Sequence, residues 1–269
     1  MTVQRHRPRS WAARHDIVLY LVLAYLISWS IWPLVLLNPQ SSPLVPFGPG
    51  LAAVVVVLLA GGRRALSGLL RQLGRWRVNP AWYVVAVGVP LLIPGLALCA
   101  AVATGAPVPR WDPSDLFQIA GSIAVTIVVV GLFEELGWRG FLLPRLQADR
   151  SALGAALTVG LAWLPWHLPE VISDPGQRPL TPFAVYIFAQ SVLLAWLYNS
   201  TQASLPIVIL FHAAFNSFTH FFLADLQGQP LPYLVAWWVL AGLAALFALG
   251  VVLRAGSRNL VRGAAGPAG

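Results

Sequence analysis

The chain reads as an all-α polytopic membrane protein of about eight transmembrane helices enclosing an intramembrane polar cavity. Three observations lead there. Of its 269 residues 58% are hydrophobic and 10% charged, whereas a soluble domain carries about 25% charged residues. Its apolar runs recur at about 20 residues, the length that crosses the hydrocarbon of a bilayer. Its positive side chains, all arginine since the chain contains no lysine, gather on alternate connections between those runs.

The elements follow in order. Residues 1–16 form a basic N-terminus with Arg5, Arg7, Arg9 and Arg14. The apolar run 17–37 is too long for a signal-peptide core and no small-residue cleavage site follows it, so it reads as a retained first span. A Pro-rich turn, 38–46, leads to a short second span at 47–60. Residues 61–80 make a basic loop with some amphipathic helical character, carrying Arg63, Arg64, Arg71, Arg75 and Arg77. The third span, 81–104, contains Pro90 and Pro94, which remove backbone donors and predict a kink. After a connector with Trp111 as an interfacial aromatic, the fourth span and its continuation cover 115–143. The remaining spans are 151–168, 182–198, 203–223 and 231–253, and 254–269 reads as a flexible tail.

Eight spans put both termini on one side. Fifteen of the 17 arginines fall on that side, leaving Arg110 and Arg178 on the other. The asymmetry predicts cytoplasmic termini and a cell-membrane protein. A net charge of +8 spread over span ends is topology anchoring, which excludes nucleic acid as a partner. The partners expected are the bilayer and a peptide or protein substrate near it. The single cysteine, Cys99, can form neither an intrachain disulfide nor a thiolate metal cluster.

Few groups within the spans can move a proton. Glu134 and Glu135 stand together at the end of an apolar run in a chain with nine acidic residues, and ionisable groups at membrane depth are costly and usually functional. Glu135 and Arg139 lie four apart in the favourable acid-first order and are expected to pair. That leaves Glu134, about 100° around the helix, to face elsewhere. His167 follows Trp163 by one helical turn. His212, Asn216 and His220 share one face of the seventh span, with His220 near the span end and so the weakest member. A carboxylate in an apolar pocket has its ionised form disfavoured, which strengthens it as a general base. Beside a histidine it can activate water, and an amide or imidazole donor can hold the developing oxyanion. Glu134, His167, His212 and Asn216 supply these groups. Glu134, His167 and His212 are also a conceivable zinc set, although no His-Glu-x-x-His helix exists. A transporter, or a non-catalytic immunity or scaffold protein, is the competing class.

Three blocks occur in order: Glu134-Glu135-x-x-x-Arg139, Trp163-x-x-x-His167 and His212-x-x-x-Asn216. Together they resemble the CPBP family, which comprises the type 2 CAAX prenyl endopeptidases and the Abi-like proteins, over a core at 114–223. Trp163 stands where that family commonly has Phe, which keeps a large aromatic ring there. The resemblance implies an intramembrane endopeptidase within an eight-span membrane domain, 17–253. Glu134 would activate water, His167 would orient it, and His212 and Asn216 would hold the water or the oxyanion. Glu135, Arg139 and Trp163 would support them. The family is usually labelled metalloprotease, and a metal-free glutamate mechanism is also argued for it. The metal-free account, requiring no cofactor, is favoured here and zinc stays open. Straight helices would hold Glu134 and His167 at different depths, so tilt, the prolines at 144 and 165, or a cytoplasmic extension of the fifth span is expected to bring them together.

Overall fold

The structure, a computed structural model, describes residues 14–38, 43–110, 112–174 and 176–261. Most of the basic N-terminus, Trp111 and the last eight residues of the tail lie outside them. The described residues form helices and no strand. The helices are α1 Asp16–Trp29, α2 Gly48–Leu70, α3 Ala81–Ala103, α4 Ser114–Leu146, α5 Ala152–Trp166, α6 Leu168–Ser173, α7 Leu180–Ser200, α8 Leu205–Leu223 and α9 Pro230–Ala255. Seven are long and apolar enough to cross a bilayer, α1 through its 3₁₀ extension to Val35.

The eighth crossing differs from the expected unbroken helix. α5 has 15 residues, about 22 Å at 1.5 Å per residue, and is too short to span alone. Ser151 caps its start by accepting from the Gly154 amide at 3.1 Å. It ends at His167 because Pro169, in the first turn of α6, has no N–H for the carbonyl four residues back, and its ring would strike that carbonyl. The chain then resumes as α6. The break leaves His167 buried, 8% exposed, at the end of a half-crossing.

α4 corrects the depth expectation. It runs to Leu146 rather than ending near 143, and is interrupted by π-helical segments at Ile127–Gly131 and Leu136–Leu142. Glu134 therefore lies 12 residues, about 18 Å, from the end that leads into α5, and His167 about 22 Å from the start of α5. Measured along their helices, the two lie at similar distances from that end. π segments are rare and concentrate at functional sites; here they flank both glutamates.

α2 also runs further than expected. Gly62, at φ 64° and ψ −161°, kinks it where the second span was placed to end, and Arg63 and Arg64 open the continuation. Its other end presses on α4 through glycines. A Cβ on Gly137 would lie 2.5 Å from the Pro49 carbonyl carbon, and one on Gly50 would lie 2.8 Å from the Phe133 carbonyl oxygen. Membrane helices approach this closely only through small residues. Gly137→Ala is accordingly expected to cost about 1–3 kcal/mol through overpacking, while Gly121→Ala, whose Cβ meets nothing within 4 Å, is neutral. Thermal unfolding in detergent tests this; equal midpoints for the two variants would show that the crossing is not tight.

The core gathers around α7 and α8. α8 packs on α3, and α7 on α5 and α9. One end of the bundle is stitched by polar contacts. Arg145 pairs with Asp16 at 2.6 Å, Tyr198 donates to Gln72 at 2.8 Å, and Arg75 donates to the Gln202 carbonyl at 2.6 Å. The tail, expected to be flexible from 254, is held there up to Val261. The carbonyls of Arg258 and Ser257 accept from the amides of Ala152 and Leu153 at 2.8 and 3.0 Å, satisfying donors that a helix start leaves open, and Leu260 is fully buried.

Candidate active site

The site is built from α4, the end of α5 and the middle of α8. Trp163 is its hub. Its indole Nε1–H donates to Glu134 Oε2 at 2.9 Å, and the Arg139 guanidinium lies 4.4 Å from its ring centre, a cation–π contact. The His167 and His212 rings lie 5.6 and 5.4 Å from it. One buried side chain thus touches the first carboxylate, the buried arginine and both histidines. Trp163 is therefore more than an aromatic stand-in for Phe, since its indole supplies a donor that Phe lacks.

The two glutamates have different surroundings. Glu135 is fully buried and its Oε1 accepts from Arg139 at 2.8 Å, the pair expected from their spacing. The same oxygen lies 2.7 Å from His212 Nδ1. His212 is thus hydrogen-bonded to the second glutamate, a contact the sequence did not indicate. Arg139 also reaches Ser191 on α7 at 3.5 Å. Glu134 retains 3% exposure, with Trp163 as its hydrogen-bond donor.

Hydrogen bonding fixes how each imidazole presents itself. His167 Nδ1 faces the Trp163 carbonyl at 2.9 Å, and a carbonyl only accepts, so Nδ1 carries the proton. His212 Nδ1 faces a carboxylate and does the same. In neutral imidazoles both Nε2 atoms are then acceptors.

A cavity of about 300 Å³ brings the groups together. Trp163, His167, His212 and Asn216 line it, with Ser122, Thr126, Tyr186 and Gln190. Glu134 is not in its wall but is hydrogen-bonded to Trp163, which is. His220 lines the cavity further out along α8. The polar wall residues Ser122, Thr126 and Gln190, and Ser191 beside Arg139, carry no motif in the sequence. Gln190-Ser191 inside an otherwise apolar run was the available signal. Ser122 donates to Ser217 at 3.0 Å and closes one side of the cavity.

Two histidines and a carboxylate have the chemistry of a zinc set. Among the described residues, however, no three His, Cys, Asp or Glu side chains converge as metal ligands. Glu134, His167 and His212 as placed do not form such a centre.

Residues 116–218 match the model of a family described as type II CAAX prenyl endopeptidase Rce1-like. The CAAX prenyl protease 2 of Methanococcus maripaludis is 24% identical over 144 residues, covering 47% of this chain and 52% of the relative. The chain therefore spans about half the length of the curated relative it matches. The family match runs from the start of α4 into α8 and contains Glu134, Glu135, Arg139, Trp163, His167, His212 and Asn216. Family model and relative both support the CPBP family for this integral membrane protein.

Proposed function

We propose that the chain is an intramembrane endopeptidase that hydrolyses a peptide bond with water activated by Glu134. The observation that carries the reading is the hydrogen bond from Trp163 to Glu134 beside a cavity lined by His167, His212 and Asn216. Trp163 occupies Oε2, which leaves Oε1 to accept the proton of a water. The Nε2 acceptors of His167 and His212 orient that water by taking its other hydrogen or that of a second water. Water oxygen attacks the carbonyl carbon as its proton passes to Glu134. The Asn216 amide, a donor that needs no change of protonation, holds the oxyanion. Collapse of the tetrahedral intermediate breaks the C–N bond, and Glu134 returns its proton to the leaving amine. Glu135 and Arg139 fix His212 and Trp163 in place and take no part in proton transfer.

No step here is routed through a metal, and a bound zinc would instead supply a Lewis acid. The test is cleavage of a quenched peptide library by purified protein, with and without chelator. The expected result is cleavage that survives chelation and is lost in His212→Ala. Equal cleavage by wild type and His212→Ala would assign the activity elsewhere. Loss on chelation with restoration by zinc would replace the metal-free account.

A further inference from the structure

The cavity and the arginines lie at opposite ends of the bundle. Polar contacts join Asp16 to Arg145, Gln72 to Tyr198 and Asn199 to Asn259, so these segments share one end. With them lie Arg71, Arg75, Arg77, Arg150, Arg254 and Arg258. The other end holds Arg110 and Arg178, the latter paired with Glu170. Arg139, counted with the cytoplasmic charges from sequence, is 1% exposed and anchors nothing at a membrane face. Without it the split is still steep.

From His167 and Asn216 the cavity wall continues through His220, Tyr186 and Trp237 to Gln177, Arg178, Gln227 and Tyr233. Gln177, Arg178 and Gln227 sit in the connections of the arginine-poor end and Tyr233 in the first turn of α9, from which it donates to the Gln177 carbonyl. In the other direction the way is closed. Trp138, Arg139, Phe141, Leu142 and Phe211 are each at most 1% exposed and lie between the site and the arginine-rich end. Depth agrees: His167 is about 22 Å from that end along α5, which leaves roughly 8 Å of a 30 Å hydrocarbon layer beyond it.

We propose that the cavity opens on the non-cytoplasmic side of the membrane, and that its substrate is a peptide segment presented there by a membrane-anchored or emerging protein. The positive-inside rule sets the orientation, and the floor of buried aromatic rings sets the direction of entry. A segment held in the cytoplasm has no route to Asn216. The proposal rests on the endopeptidase reading for its substrate, but the side on which the cavity opens does not depend on catalysis.

The test uses full-length chains in intact cells, with the one cysteine removed (Cys99→Ser). Gln177→Cys at the mouth and Thr219→Cys in the wall are compared with Ala148→Cys at the arginine-rich end, using a charged, membrane-impermeant maleimide. Gln177→Cys and Thr219→Cys are expected to label at least tenfold faster than Ala148→Cys, which labels only after permeabilisation. The reverse order, equal labelling of all three, or labelling of the mouth only after permeabilisation overturns the proposal. A second arm adds an impermeant quenched peptide to right-side-out and inside-out vesicles, and cleavage is expected only by the former. Cleavage by inside-out vesicles alone also overturns it. Cleavage by neither, with labelling as expected, would sink the endopeptidase reading and leave the outward-facing cavity standing.

Discussion

Glu134→Gln is expected to lower kcat/KM for peptide cleavage by about 10³-fold, within the range supplied by a general base, and to leave the melting midpoint within about a degree or two. The two halves of that expectation come from different atoms. Gln has the shape of Glu, and its amide oxygen can still accept from Trp163 Nε1, so the one hydrogen bond described for the Glu134 side chain survives. It cannot take the proton of an attacking water, so the chemical step loses its base. Trp163→Phe separates the contributions. It keeps a ring for the Arg139 guanidinium to lie over but deletes the N–H that holds the carboxylate. Hydrogen bonds to charged groups contribute about 1.5–3 kcal/mol, so a loss of about 10- to 100-fold in kcat/KM is expected, smaller than that of Glu134→Gln. Steady-state kinetics and thermal unfolding of the same purified proteins decide it. Glu134→Gln within threefold of wild type would remove Glu134 from the proton-transfer role.

Much of this arrangement was legible in the order of residues, and the parts that were not share a cause. Apolar run length located the crossings, because hydrocarbon thickness fixes it. Spacing of four located the Glu135–Arg139 pair. The broken fifth crossing was misread as one span: the run 151–168 is apolar enough, but Pro165 and Pro169 act on the backbone and hydropathy does not register them. The depth conflict arose on α4 instead, where a span end placed three residues early misplaces Glu134 by about 4.5 Å. Which glutamate His212 would meet was not legible, because residue spacing presumes a regular helix. Between adjacent residues on α4, the π segments at Ile127–Gly131 and Leu136–Leu142 alter the facing, and no local residue pattern announces them. Gln190 and Ser191 were passed over because a single polar pair in an apolar run has no periodicity.

Glu135→Ala is expected to destabilise the protein by about 3–5 kcal/mol rather than merely inactivate it. Arg139 is 1% exposed and Glu135 fully buried, 2.8 Å apart. Removing one member of a buried pair strands the other charge, at a cost of about 3–5 kcal/mol, against total stabilities of about 5–15 kcal/mol. The loss spreads because Glu135 Oε1 also faces His212 Nδ1 at 2.7 Å; without it His212 loses its tautomer and Arg139 loses its hold over Trp163. The charge argument makes a sharper demand. Arg139→Met combined with Glu135→Gln removes both charges and leaves an amide oxygen for His212 Nδ1. The double variant should therefore be more stable than Glu135→Ala by at least 2 kcal/mol, of the order that the stranded arginine costs. Melting midpoints of the single and double variants in detergent measure this difference. Were the double variant no more stable than Glu135→Ala, the pair would not be what holds α4 in register. The contrast with Glu134→Gln would then reflect packing around α4 rather than a division of labour between neighbouring carboxylates, one kept for the reaction and one for the frame that aims it.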